Sequence, residues 1–227
     1  MKALEDARRD PESLKGRILA AARPVFAARG FHAATTRAIA AEVGIDVSTL
    51  YYHWGSKQAL FDAILLDLEL DFEDRLRVWV RETRDRRLEE CFELAVEHFG
   101  GFFLDRDRVR VLLFTFFDEE SAGKGWAVRS QRRLVQTLKT FVERRLGIVD
   151  PAPEFDVAVL SFVASLLTLV GSRHRLGEVL GVDPEGREYR ELVLRSLRSQ
   201  VAVFTESLIR NRPGAIPALA KGVSDPD

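Results

Sequence analysis

With 227 residues, 46% of them hydrophobic and 30% charged, the chain has a globular composition and is long enough for one large domain or two smaller ones with a sizeable core. A net charge of −1 excludes an all-over cationic coat, although residues 1–65 carry 9 Lys/Arg against 7 Asp/Glu and so form the more basic part. The single cysteine, Cys91, excludes an internal disulfide framework and reads as a small buried side chain, and the charges from Glu5 to Asp10 exclude an N-terminal signal peptide.

Apolar residues recur at steps of three and four between clusters of proline and glycine, which predicts an all-α fold of about nine helices. The first spans 13–28, with Ser13 as N-cap, Gly30 as stop, and Ile18, Ala21, Ala22, Val25 and Phe26 inward. Pro24 lacks the N–H that would bond Ala20, so a kink there, or a later start, is expected. A short helix over 36–43 follows, stopped by Gly44, then a second over 47–54, stopped by Gly55. Ser56 can cap a long helix over 57–79, with Leu60, Phe61, Ile64, Leu65, Leu68, Phe72, Leu76 and Trp79 on its apolar side.

Further helices are expected over 88–104, 106–119, 126–146, 155–173 and 187–210, with a loop through 177–186 and a loosely ordered tail over 213–227. The longest uncharged stretch, 157–172, has 16 residues, short of the roughly 20 that cross a bilayer, and is read as a helix buried on every side in a protein without a membrane segment.

The segment from Thr35 to Lys57, "TTRAIAAEVGIDVSTLYYHWGSK", carries chemistry that a core does not need. Thr35 or Thr36 can cap the first short helix, Ile39, Ala40 and Val43 form its inward stripe, Gly44 supplies a left-handed turn, and Asp46 can cap the second. Two helices joined by a glycine-containing turn of three or four residues form a helix-turn-helix. At 100° per residue Val47, Leu50 and Trp54 fall on one side of the second helix. Ser48, Thr49, Tyr52 and His53 fall on the other, with Tyr51 at the border. Hydroxyls, a phenol and an imidazole on an outward face suit phosphates and base edges of duplex DNA. Arg37 can reach a phosphate or a guanine edge, and Lys57 adds charge to a helix N-terminus that attracts phosphate.

These residues resemble the DNA-binding domain of the tetracycline-repressor (TetR) family of bacterial transcription regulators. The resemblance is carried by Thr35, Ile39-Ala40, Gly44-Ile45, Leu50-Tyr51-Tyr52-His53-Trp54, Lys57 and Leu60, with Trp54 standing where the family has phenylalanine. It implies that Arg37, Ser48, Thr49, Tyr52 and His53 face the major groove, while Thr35, Thr36, Tyr51 and Lys57 hold the phosphate backbone. It also implies a DNA-binding domain over 1–56 and an effector-binding and dimerisation domain over 57–212. Two chains would then pair through helices near 155–173 and 187–210 on a near-palindromic operator.

In the second domain Phe92, Phe99, Phe102, Phe103, Phe114, Phe116, Phe117 and Trp126 are candidates to line a pocket for a small apolar effector, with His98 as a polar contact inside it and plain core packing as the alternative for each. No catalytic grouping, metal-ligand spacing or cofactor motif is present, and the four histidines are scattered. The expected function is a cytoplasmic homodimeric repressor released from its operator by the effector. An architectural or partner-regulated DNA binder, and a helical enzyme or carrier with a vestigial DNA-binding unit, remain open.

Overall fold

The computed structural model describes residues 2–117, 123–148 and 153–210. Among them every regular element is an α-helix: α1 (Lys2–Arg9), α2 (Leu14–Ala33), α3 (Thr36–Val43), α4 (Val47–Trp54), α5 (Lys57–Glu82), α6 (Leu88–Leu104), α7 (Arg106–Phe117), α8 (Lys124–Leu146), α9 (Pro153–Gly171), α10 (Arg173–Leu180) and α11 (Arg187–Arg210). The all-α class stands as expected, with eleven helices where about nine were read. The expected end of α7 at Glu119, the tail over 213–227 and the side chains of Phe204 and Leu208 lie outside the described residues.

Two helices were not anticipated, each for a physical reason. α1 is short and dense in charge, yet Leu4 and Ala7 are buried against α2, and Arg8 pairs with Asp67 of α5. α10 takes in the first four residues of the expected loop, 177–180, because Gly177 is not a breaker there. A Cβ on Gly177 would lie 2.8 Å from the Val182 carbonyl oxygen, so this glycine permits close backbone packing inside a helix.

Pro24 does not break α2, which is capped by the Ser13 hydroxyl accepting from the Gly16 N–H at 3.2 Å. Pro24 and Ala20 are both exposed, so the carbonyl deprived of a partner lies on the water side. The interruption falls instead at Gly30 (φ 67°, ψ 175°), a conformation that costs glycine little.

One apolar core crosses the expected domain boundary at residues 56 and 57. It contains Ile18 and Phe26 of α2, Ile39 of α3, Leu50 and Trp54 of α4, Leu60, Ile64, Leu65 and Leu68 of α5, Phe102 of α6, Val109 and Leu112 of α7, and Leu167 of α9. Polar contacts reinforce the crossing. Arg110 Nε of α7 donates to the Ala27 carbonyl of α2 at 2.7 Å, and Arg23 of α2 pairs with Asp67 of α5 at 2.7 Å. Further out, α11 buries Tyr189, Val193 and Leu197 against α6, α9 and α10, with the Tyr189 hydroxyl donating to the Leu169 carbonyl. Burial pushes that phenol up from its ordinary range.

α9 departs from the expectation of burial on every side. By length and composition it could cross a membrane, yet Phe155, Val159, Leu167 and Val170 are packed inside the protein. Its opposite face is open: Val157 is 64% exposed and Leu160 36%. Cys91 is buried, as expected, with its Sγ against the Arg87 carbonyl at 3.2 Å.

Candidate functional site

α3 and α4 form the expected helix-turn-helix. The Thr35 hydroxyl accepts from the Ala38 N–H at 3.2 Å and starts α3. Ile39 and Ala40 are buried, which anchors α3 to α2 and leaves its N-terminus free at the surface. Gly44 adopts φ 75°, ψ 37°, and the N–H groups of Gly44 and Ile45 return to the carbonyls of Ala41 and Ala40. Asp46 is the N-cap residue of α4, but its side chain makes no capping bond, so the capping role expected for its carboxylate is not taken up. Arg17 of α2 closes the other end of α3 by donating to the Val43 carbonyl at 3.2 Å, a contact across 26 positions that no local pattern announces.

α4 divides as its periodicity predicts. Leu50 and Trp54 are buried and Val47 is half-buried. Ser48 is exposed, Tyr51 is 43% and Tyr52 86% exposed, and Thr49 and His53 are half-buried. At 86% exposure most of the Tyr52 ring is open to solvent and accessible to a partner. The Tyr52 and His53 rings meet edge to face at 5.1 Å, and the hydroxyls of Thr36 and Tyr51 lie 3.4 Å apart, tying the start of α3 to α4. Thr35 and Arg37 are exposed beside them, and Arg37 makes no ion pair among the described residues. The Trp54 indole N–H is buried without a partner, a cost that phenylalanine at this position would not carry.

Lys57 sits differently from the expectation. Its ammonium donates to the carbonyls of Phe31 (2.9 Å), His32 (3.3 Å) and Ala34 (3.0 Å) and lies 4.4 Å from the centre of the Phe31 ring. All three donors are thus used to hold the chain past the Gly30 break. The lysine fastens α5 to the exit of α2, where the sequence suggested a free charge.

A second feature lies in the helical bundle. A cavity of about 410 Å³ opens between α5, α6, α7, α8 and α9. Its apolar wall includes Phe72, Phe102, Phe103, Phe116 and Trp126, and Phe116 and Trp126 stack at 5.7 Å. Of the expected lining residues, Phe102, Phe103, Phe116 and Trp126 are present, whereas Phe92, His98, Phe99, Phe114 and Phe117 are elsewhere. His98 is half-buried away from the cavity lining, its Nε2 2.8 Å from a Glu82 carboxylate oxygen, and Phe99 packs on the Phe72 ring at 5.1 Å. Phe114 lies by Gly30 at a smaller cavity, and Phe117 is 56% exposed. Periodicity picks out the aromatics of α6 and α7 but gives no phase relative to α5. Phe72, expected only on the apolar side of α5, and Glu69, Glu73 and Arg133 at the cavity's polar end were not among the expected lining residues.

Residues 18–64 match the family model for bacterial regulatory proteins of the tetR family, which spans the run from α2 into α5. The HTH-type transcriptional regulator UidR of Escherichia coli (strain K12) is 40% identical over 99 residues, covering 43% of this chain and 50% of UidR, so the alignment takes in about half the length of that relative. The HTH-type transcriptional repressor KstR2 of Mycobacterium tuberculosis (strain H37Rv) is 26% identical over 199 residues, covering 83% of this chain and 94% of KstR2. Among solved structures, AibR in complex with isovaleryl coenzyme A and operator DNA superposes with a TM-score of 0.57 over 79% of this chain and 93% of AibR, at 19% identity, a likeness of fold. Helix-turn-helix, exposed aromatic face and family match coincide on the same residues, and together with these relatives they support a tetR-family transcriptional regulator.

Proposed function

We propose that the chain is a cytoplasmic, homodimeric, sequence-specific DNA-binding regulator that leaves its operator when a small, largely apolar molecule occupies the bundle cavity. The observation that carries this reading is α4, whose outward side is an exposed tyrosine flanked by hydroxyls and an imidazole while Leu50 and Trp54 hold it to the scaffold. In this reading Arg37, Ser48, Thr49, Tyr52 and His53 meet base edges in the major groove, and Thr35, Thr36 and Tyr51 hold phosphates. Lys57 serves DNA binding by fixing α5 to the exit of α2. Repression, rather than activation, accords with KstR2, named a repressor, and effector control with AibR, which was crystallised with both an acyl thioester and DNA.

Coupling has a physical route. α5 begins beside α4 and carries Leu68, Glu69, Phe72 and Glu73 into the cavity wall, so both functions share one helix. α7 contributes Leu112 to the cavity and Arg110 to the Ala27 carbonyl of α2. Occupancy that shifts α5 and α7 would rotate the recognition helices away from a spacing of about 34–36 Å, one turn of DNA. A coupling of about 1–3 kcal/mol, roughly 5- to 150-fold in operator affinity, is the usual scale. The open faces of α9 and α11, with Val157, Leu160 and Val203, supply an apolar surface for the second subunit.

Selection of bound sequences from a randomised duplex library with the full chain tests the reading. A two-fold symmetric motif is expected. A set of retained duplexes without any common sequence would instead favour an architectural DNA binder, a reading against which a 410 Å³ apolar cavity already weighs.

A further inference from the structure

The polar end of the cavity has an uneven charge arrangement. Glu69 and Glu73 of α5 converge on one guanidinium, Arg133 of α8, with Arg133 2.9 Å from the Glu69 carboxylate and also paired to Glu73. The second Glu69 oxygen accepts the Trp126 indole N–H at 2.8 Å. Arg77, the other cation on the cavity wall, is turned to Asp74 at 2.9 Å. The three-residue cluster therefore retains one negative charge.

The partners also differ in burial. The Glu69 side chain is 11% exposed and Glu73 26%, whereas Arg133 is 57% exposed. A side chain that is more than half in water gives up little by swinging fully into it, because exposed ion pairs are weak. Glu69 has no such exit. It is tied to Trp126 and faces aromatic rings. A molecule entering the cavity can displace Arg133 but not Glu69, and an inner carboxylate stripped of its cation is strongly disfavoured.

From this asymmetry we propose that the effector is an amphipathic organic cation: an apolar body among Phe72, Phe102, Phe103, Phe116 and Trp126, and an ammonium or amidinium group that replaces Arg133 against Glu69 and Glu73. The aromatic faces add cation–π attraction to the carboxylate pairing. A carboxylate or phosphate head would instead face two glutamates across a distance spanned by a single arginine. The inference rests on the effector-controlled reading above and specifies the chemistry of its ligand.

The test uses three probes with one tail and different heads: decylammonium, decanoate and decan-1-ol, each below its micellar concentration. Calorimetry gives their affinity for the full chain, and a labelled operator duplex reports release. Decylammonium is expected to bind about tenfold or more tighter than decanoate. Glu69→Gln keeps an acceptor for Trp126 and should reduce decylammonium affinity about tenfold while leaving decanol binding unchanged. Arg133→Ala, removing the competitor, should strengthen decylammonium binding. Circular dichroism of both variants checks that the helices are intact. Decanoate binding tighter than decylammonium, and weakened by Arg133→Ala, overturns the cation inference while leaving effector control in place. If none of the three binds, both the inference and the effector reading fail.

Discussion

Lys57 shows how a side chain's role depends on what its donors already touch. With the carbonyls of Phe31, His32 and Ala34 around its ammonium, substitution by alanine removes charge-assisted bonds from a partly buried site. Lys57→Ala is expected to lower stability by about 1.5–3 kcal/mol, read as the midpoint of urea unfolding. Arg37, exposed and without an ion pair among the described residues, should behave the other way. Arg37→Ala is expected to leave the unfolding midpoint in place and to reduce the slope of log affinity against log salt by about 0.9, if it meets one phosphate. A Lys57→Ala protein with wild-type stability and a reduced salt slope would restore that lysine to the phosphate contacts. Sequence could not separate these two cations, because the difference lies in the kink at Gly30, past which carbonyls 23 to 26 positions away meet one nitrogen.

At the scale of elements, α3 and α4 were legible to the residue because their signals are local: a threonine cap, a left-handed glycine, and an apolar stripe of the right period. α10 was not, because Gly177 has two opposite meanings in sequence, helix stop or close approach, and only the neighbouring strand of chain decides between them. The structure places the Val182 carbonyl where a Cβ would go. Gly177→Ala is therefore expected to lower Tm by roughly 2–10 °C through backbone crowding, while operator affinity at low temperature is unchanged. Unaltered Tm would mean that the 177–186 segment yields readily. The same limit applies to the cavity. Helical period told which side of α6 and α7 is apolar, but not which rings would face α5, and so Phe102, Phe103, Phe116 and Trp126 were found together with Phe99, Phe114 and Phe117, which lie elsewhere, while Phe72 was passed over as core.

For the whole molecule, the fold class was legible from periodicity, and the continuity of its core was not. A core that runs from Ile39 and Leu50 through Leu65 to Leu112 and Leu167 makes the helix-turn-helix and the bundle one packed body, through which a displacement at the cavity can reach α3 and α4. Assembly is the other property at this scale. Val157 is 64% exposed on the open side of α9, so a charge there does not disturb the packing within one chain. Val157→Glu is expected to convert a dimer to a monomer in size-exclusion chromatography with light scattering, with helix content retained. A dimer that survives the change would place the subunit interface elsewhere. The central claim, that the outward side of α4 faces the groove, is tested most directly by photocrosslinking from position 52, with benzoylphenylalanine replacing Tyr52 and the selected duplex bound. Crosslinks to bases at two places about one helical turn apart, one in each half-site, are expected. A duplex that binds tightly yet takes no crosslink from this position would contradict the account.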